Sequence, residues 1–146
     1  MNTAVRILTH REHSRYELKQ KLQQRGFASK VIETVIGECE RLNYIDDQKT
    51  ARIYISQLKR KCFGKRYIRM ALKKKRLSST AIENFLLENY PEADEHENAG
   101  KLLKKKIKTF NREEDAKKRR DKMYRFLYSR GFNKDIIVNL MRNLVK

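Results

Sequence analysis

The chain repeats itself, and no other feature constrains its fold as much. Residues 14–27 read SRYELKQKLQQRGF and residues 119–132 read RRDKMYRFLYSRGF, each with an apolar pair four apart and the same Arg-Gly-Phe ending. A shift of 50 residues places Ile68, Leu72, Leu77, Ala81, Ile82, Phe85 and Leu86 on Leu18, Leu22, Phe27, Val31, Ile32, Val35 and Ile36. A shift of 105 adds Met123, Leu127, Phe132, Ile136, Ile137, Leu140 and Met141. Any two amphipathic helices align in part, but this match keeps its spacing across the intervening turn, which marks a repeat architecture.

Local signals say what the repeated unit is. Ser14 and Glu17 have capping-box spacing, so a helix starts at Ser14. Leu18 and Leu22 form its inner stripe, and Gly26 stands where a chain leaving a helix turns left-handed without a Cβ penalty. Ser29 is placed to cap a following helix that buries Val31, Ile32, Val35 and Ile36. A further helical segment precedes each copy, at 4–11, about 48–61 and about 97–110, so the unit has three helices. Asp47 is the expected cap of the second unit's first helix and Ser79 that of its last. With five Gly, a single Pro and few alternating β-branched runs, the class is all-α. The chain reads as three tandem three-helix repeats, 1–43, 44–90 and 91–146, forming an elongated, curved array. LNYIDD at 42–47 is one joint, and the acidic segment 88–100 around Pro91 is the other. Arg76 occupies the position of Gly26 and Gly131, which suggests that this turn is wound differently.

Charge points to the partner. Lys and Arg outnumber Asp and Glu by 36 to 18, for a net +18, and such an excess calls for a polyanion or an assembly built on one. The imbalance is local: residues 51–80 hold 11 basic side chains and no acid. At 100° per residue Lys65, Arg66, Arg69 and Lys73 fall on one side of their helix, opposite Tyr67, Ile68, Ala71 and Leu72. Lys59, Arg60 and Lys61 are further candidates. Lys101, Lys104, Lys105 and Lys108 form a second strip, although Glu97 is placed to pair with Lys101. The run Lys117, Lys118, Arg119, Arg120 is either a phosphate contact or an exposed helix start. These residues are the candidate filament or nucleic-acid contacts, and solvated helix faces are the alternative. Tyr16, Tyr124 and Tyr128 could stack on bases, but their helical spacing favours core roles.

The segments HREHSRYELKQKLQQRGF at 10–27, LNYIDD at 42–47 followed by Ala51, and KMYRFLYSRGFNKDII at 122–137 resemble the RecX family of bacterial regulators of the RecA recombinase. The resemblance implies three tandem three-helix repeats, no catalysis, and binding to RecA and its nucleoprotein filament. Such binding would restrain ATP hydrolysis, strand exchange and co-protease activity. Lys75-Arg76-Leu77, where the family commonly has a glycine turn, and the Lys-rich last third depart from the pattern. Direct contact with single- or double-stranded DNA stays open, with a general DNA-binding protein as the alternative function.

Catalytic signals are weak. His10 and His13 with Cys39 lack a second ligand pair at zinc spacing, Asp46 and Asp47 read as helix caps, and there is no GxxxxGK[ST] loop. No catalytic residue, metal or cofactor is expected. Cys39 and Cys62 lie outside any CxxC arrangement and read as reduced thiols. The N-terminal segment, broken by Arg6, has no signal-peptide core, and no run approaches a membrane span. A cytoplasmic monomer is the expectation.

Overall fold

A computed structural model describes residues 1–145, and the described residues hold nine α-helices and no strand. The first unit comprises α1 (Asn2–His10), α2 (Arg15–Gln24) and α3 (Ser29–Arg41). The second has α4 (Asp47–Arg60), α5 (Lys65–Lys74) and α6 (Ser79–Asn89), and the third α7 (Glu92–Asn111), α8 (Ala116–Ser129) and α9 (Lys134–Val145). Every helix pair that packs extensively lies within one unit. Each unit therefore has its own core: Leu18, Leu22 and Ile32 in the first, Ile68, Leu72 and Ile82 in the second, Met123, Leu127 and Ile137 in the third. These side chains sit at repeat-equivalent positions, and each unit closes around the same few apolar contacts.

The equivalence is incomplete at one face. Phe27 is 40 % exposed, whereas its counterparts Leu77 and Phe132 are 8 % and 0 % exposed, and Val31 is 49 % exposed, whereas Ala81 is half-buried and Ile136 buried. Helix α4, with 14 residues, packs Ala51 and Ile55 into the core that holds Leu77; α1 has nine, and Phe27 and Val31 stay exposed.

The turn after the second helix is the same in all three units. Gly26, Arg76 and Gly131 have φ of 85°, 59° and 97°, so Arg76 adopts the left-handed turn rather than a different one. That conformation costs a non-glycine residue on the order of 1 kcal/mol. The Arg76 amide still donates to the Lys73 carbonyl at 3.0 Å, and its guanidinium lies 5.2 Å from the Tyr16 ring centroid, so local contacts offset part of the cost. After α2, Phe27 N–H reaches Leu22 O at 3.4 Å and Gly26 N–H reaches Gln23 O at 3.0 Å, closing the helix with the paired bonds of a Schellman motif.

Caps explain the helix starts and correct three expectations. The Ser14–Glu17 capping box forms with both bonds at 3.1 Å. The third helix of the first unit starts after Ala28, with no side-chain cap, and Ser29 is its first residue. Ser78 rather than Ser79 accepts from Ala81 N–H, at 3.1 Å. Asp46 rather than Asp47 caps α4, accepting from Gln48 and Lys49 at 3.0 and 3.3 Å. The segment 88–100 is not an open joint either. Helix α7 starts at Glu92, directly after Pro91, because Glu92, Asp94 and Glu95 in its first turn complement the helix dipole.

Candidate functional site: cationic faces and the joints between units

The α5 strip faces away from the core, where Ile68 and Leu72 are fully buried, but most of its charges have partners inside the molecule. Arg69 holds Glu83 of α6 through two bonds of 2.6 and 3.2 Å. Arg66 donates to the Tyr128 carbonyl and lies 3.6 Å from that ring's centroid. Lys65 is half-buried, with its amide 2.8 Å from Glu95 Oε2 and its Nζ 4.0 Å from Oε1. Lys59 donates to Asp94 at 2.7 Å and to the Asn89 carbonyl at 3.1 Å. Arg60, Lys61 and Lys73 remain exposed. The helix that looked like a cationic strip is thus largely a joint.

That joint, between the second and third units, is made of backbone. Gly64 N–H donates to Arg130 O at 2.8 Å and Arg66 N–H to Gly131 O at 3.1 Å. A Cβ on Gly64 would sit 2.3 Å from the Gly131 carbonyl, and one on Gly131 would sit 2.5 Å from Tyr67 Cβ. Only glycine permits this approach. Two arginine–aromatic contacts flank it: Arg66 on Tyr128, and Arg130 at 4.2 Å from Phe63, which stacks on Tyr67 with centroids 3.9 Å apart. Arg130 Nη2 also donates to Lys61 O at 3.2 Å. Glu95, 1 % exposed, caps the open end of α5 by accepting from Lys65 N–H. Burial raises its pKa, against the opposing pull of that amide and of the Lys65 and Arg69 charges. Tyr90 is fully buried with its hydroxyl donating to Phe63 O at 2.9 Å and accepting from Asn98, and burial raises its pKa as well.

The joint between the first and second units is made of charged side chains. Glu17 accepts from Arg11 at 3.0 Å and from Lys75 at 3.2 Å. Lys75 lies 3.7 Å from the centroid of Tyr54, whose hydroxyl donates to Glu12 O at 3.0 Å. Arg15 N–H donates to Asp47 at 3.0 Å, and Thr50 donates to His13 O at 3.3 Å. Burial opposes ionisation of Glu17, but the Ser14 amide, Arg11 and Lys75 outweigh it and lower its pKa. His13 is buried between Arg11 O at 2.8 Å and Lys21 Nζ at 2.7 Å, and burial lowers its pKa.

The other candidates lie on open surface of the third unit. Lys101 pairs with Glu97 at 3.4 Å, as the spacing predicts, while Lys104, Lys105 and Lys108 are exposed. Lys117 and Lys118 are exposed at the start of α8, where their amides donate to Asp115. Arg119 is half-buried and Arg120 exposed. Tyr16 and Tyr124 are half-buried and Tyr128 is 47 % exposed. Sequence reasoning missed Glu95, Glu17, Gly64 and Gly131 as joint residues. Gly64, which a shift of 50 places on the cap Ser14, was the one available signal, because a glycine in a capping position marks close backbone approach as readily as a missing cap.

Among the described residues no cluster of three or more His, Cys, Asp or Glu could hold a metal, and no helix is long and apolar enough to cross a membrane. Fold and surface together define an array of three-helix repeats that presents exposed lysines.

Comparison with known proteins places that array. Family models for the first, second and third three-helix domains of RecX match residues 1–39, 46–86 and 93–141. The chain belongs to the RecX family. It is 37 % identical over 132 residues to a protein of Vibrio vulnificus (strain CMCP6) named regulatory protein RecX, covering 90 % of this chain and 84 % of that one. A Haemophilus influenzae (strain PittGG) protein of the same name is 32 % identical over 141 residues, covering 96 % and 91 %. The crystal structure of RecX from Lactobacillus salivarius superposes with a TM-score of 0.85 at 23 % identity, covering 98 % of this chain and 92 % of that one. The chain is thus a RecX-type regulatory protein, of a family named for regulation rather than catalysis.

Proposed function

We propose that this protein negatively regulates the RecA recombinase by binding RecA and its nucleoprotein filament, inhibiting ATP hydrolysis, strand exchange and co-protease activity without chemistry of its own. The observation that carries the reading is the match to RecX across all three units. Three linked units give three weak binding surfaces on one chain, and linkage raises apparent affinity through effective concentration. An array bound across neighbouring protomers of a helical polymer favours the arrangement it binds best and opposes the others by mass action. The exposed lysines of α7 and α8 supply attraction to a nucleoprotein, whose phosphates carry the negative charge.

The same lysines favour a second reading, general binding to naked DNA. The two separate in one titration. RecA ATPase and strand exchange on single-stranded DNA are measured with increasing amounts of this protein, with and without DNA in excess. Inhibition at less than one molecule per RecA protomer that survives excess DNA supports the filament reading. Inhibition that disappears with added DNA replaces it with competition for phosphate.

A further inference from the structure

The third unit has a groove outside the joints, floored by the edge of its core. It opens between the end of α7, the start of α8 and the end of α9, with a volume of about 540 Å³. Its floor is apolar, made by Ile107, Met123, Met141 and Leu144, and its rim carries Arg119 and Arg120. Met123 is buried in the unit's core, whereas Ile107 and Met141 are half-buried and Leu144 is 51 % exposed, so the floor grades from fixed to accessible. Two of the four floor residues are methionines, whose unbranched, polarisable side chains adapt to different partner surfaces.

The electrostatics select what can lie there. Arg119 donates from Nη1 to Glu113 O at 3.2 Å, and among the described residues neither arginine pairs with a carboxylate. Lys117 and Lys118 stand exposed at the same helix start. Glu113 is held by Lys122 at 2.7 Å, and Asp115 is engaged by the Lys117 and Lys118 amides. Nucleic acid satisfies the rim but gives the apolar floor only sugar and base edges. An apolar segment satisfies the floor but desolvates two guanidinium groups. A second copy of this chain would bring further positive charge, since the net charge is +18.

We propose that this groove docks an acidic, amphipathic peptide segment of a protein partner, its apolar side chains on the methionine floor and its carboxylates on Arg119 and Arg120. Planar guanidinium groups bind carboxylates through paired bonds, which fixes the segment's direction as well as its charge. The inference goes beyond the RecA reading, because it is tested on the isolated protein and holds for any partner that carries such a segment.

The test is fluorescence anisotropy with a labelled peptide that alternates Glu-Asp pairs with Leu and Phe at helical spacing. Polyglutamate, a peptide with the apolar residues changed to Ser, and a short duplex DNA serve as competitors. The intact protein should bind the amphipathic peptide about tenfold more tightly than the Ser-substituted peptide or polyglutamate, a difference of one factor of ten in Kd. Arg120→Glu and the surface change Leu144→Asp should each weaken binding by about that factor, with circular dichroism confirming that both variants stay folded. Equal binding of polyglutamate, full competition by duplex DNA at equal concentration, or an unchanged affinity in Leu144→Asp would overturn the proposal in favour of unspecific charge attraction. Concentration-dependent dimerisation that blocks the peptide would overturn it in favour of a self-association surface.

Discussion

The two joints hold equivalent units together by opposite means. Between the second and third units the chain docks backbone on backbone, Gly64 against Arg130 and Gly131, with no room for a Cβ. Between the first and second units it docks charge on charge, with Glu17 between Arg11 and Lys75. The first kind of contact depends on shape, although the Lys59–Asp94 and Lys65–Glu95 pairs beside it add an ionic part. The second depends on ionisation and is screened by salt. The attachment of the first unit should therefore respond to salt more than that of the third.

The largest predicted effect is at the glycines. Gly131→Ala combines a Cβ 2.5 Å from Tyr67 with a φ of 97°. It should destabilise the protein by roughly 2–4 kcal/mol, an overpacking cost plus left-handed strain. Urea unfolding should show the loss as separate transitions for the third unit and the rest, and one unshifted transition would refute the backbone joint. Next comes Arg66→Ala, which removes a half-buried arginine–aromatic contact and a bond to the Tyr128 carbonyl. A loss of about 1–2 kcal/mol is expected, with little dependence on salt. Glu17→Gln should cost roughly 1 kcal/mol, and here the loss should shrink as salt rises. Equal salt dependence in the two variants would erase the contrast between the joints.

Acid sharpens the comparison. Glu17 has a lowered pKa in the folded protein, so its contribution is present above the ordinary value of 4.5 and is lost as pH falls through the folded value. His13 has a lowered pKa too, so its neutral form stabilises the fold above the ordinary 6.5, and that stability declines as pH drops below it. Glu95 runs the other way. Its pKa is raised, so protonation on acidification relieves a buried charge. The first joint should therefore loosen first as pH falls from neutrality. Hydrogen exchange at the Arg15 amide should accelerate, beyond the intrinsic effect of pH, before that at Gly64 and Arg66. Simultaneous loss of protection at all three would contradict the assignment. The smallest effect is expected for Arg76→Gly, which should gain on the order of 1 kcal/mol from relief of the 59° φ, less what the Tyr16 contact returns. Thermal unfolding would register it as a small rise in Tm.

The repeat was legible because its core is local and periodic. Leu18, Leu22, Ile32 and Ile36 are set by helical spacing and one turn, and all their counterparts but the half-buried Met141 are buried too. The Ser14–Glu17 box was legible for the same reason, since both partners lie within one helical turn. Segment 88–100 was misread because clustered carboxylates and a proline suit a linker as well as a helix start. The second meaning applies here because Glu95 and Asn98 have partners near residues 59–65. The α5 strip shows the same limit. The helical wheel put Ile68 and Leu72 correctly inside, but the acids that pair with its cations, Glu83 and Glu95, lie outside the acid-free window of 51–80. Tertiary pairing over tens of residues leaves no trace in a local charge count.

The central claim, that this protein recognises an assembled RecA filament, is tested most directly by comparing its binding to RecA-coated and to bare single-stranded DNA at about 0.15 M salt. The account predicts tighter binding to the coated strand, with less loss of affinity on raising the salt than for bare DNA. Equal affinity for the two, falling with salt along the same slope, would contradict it.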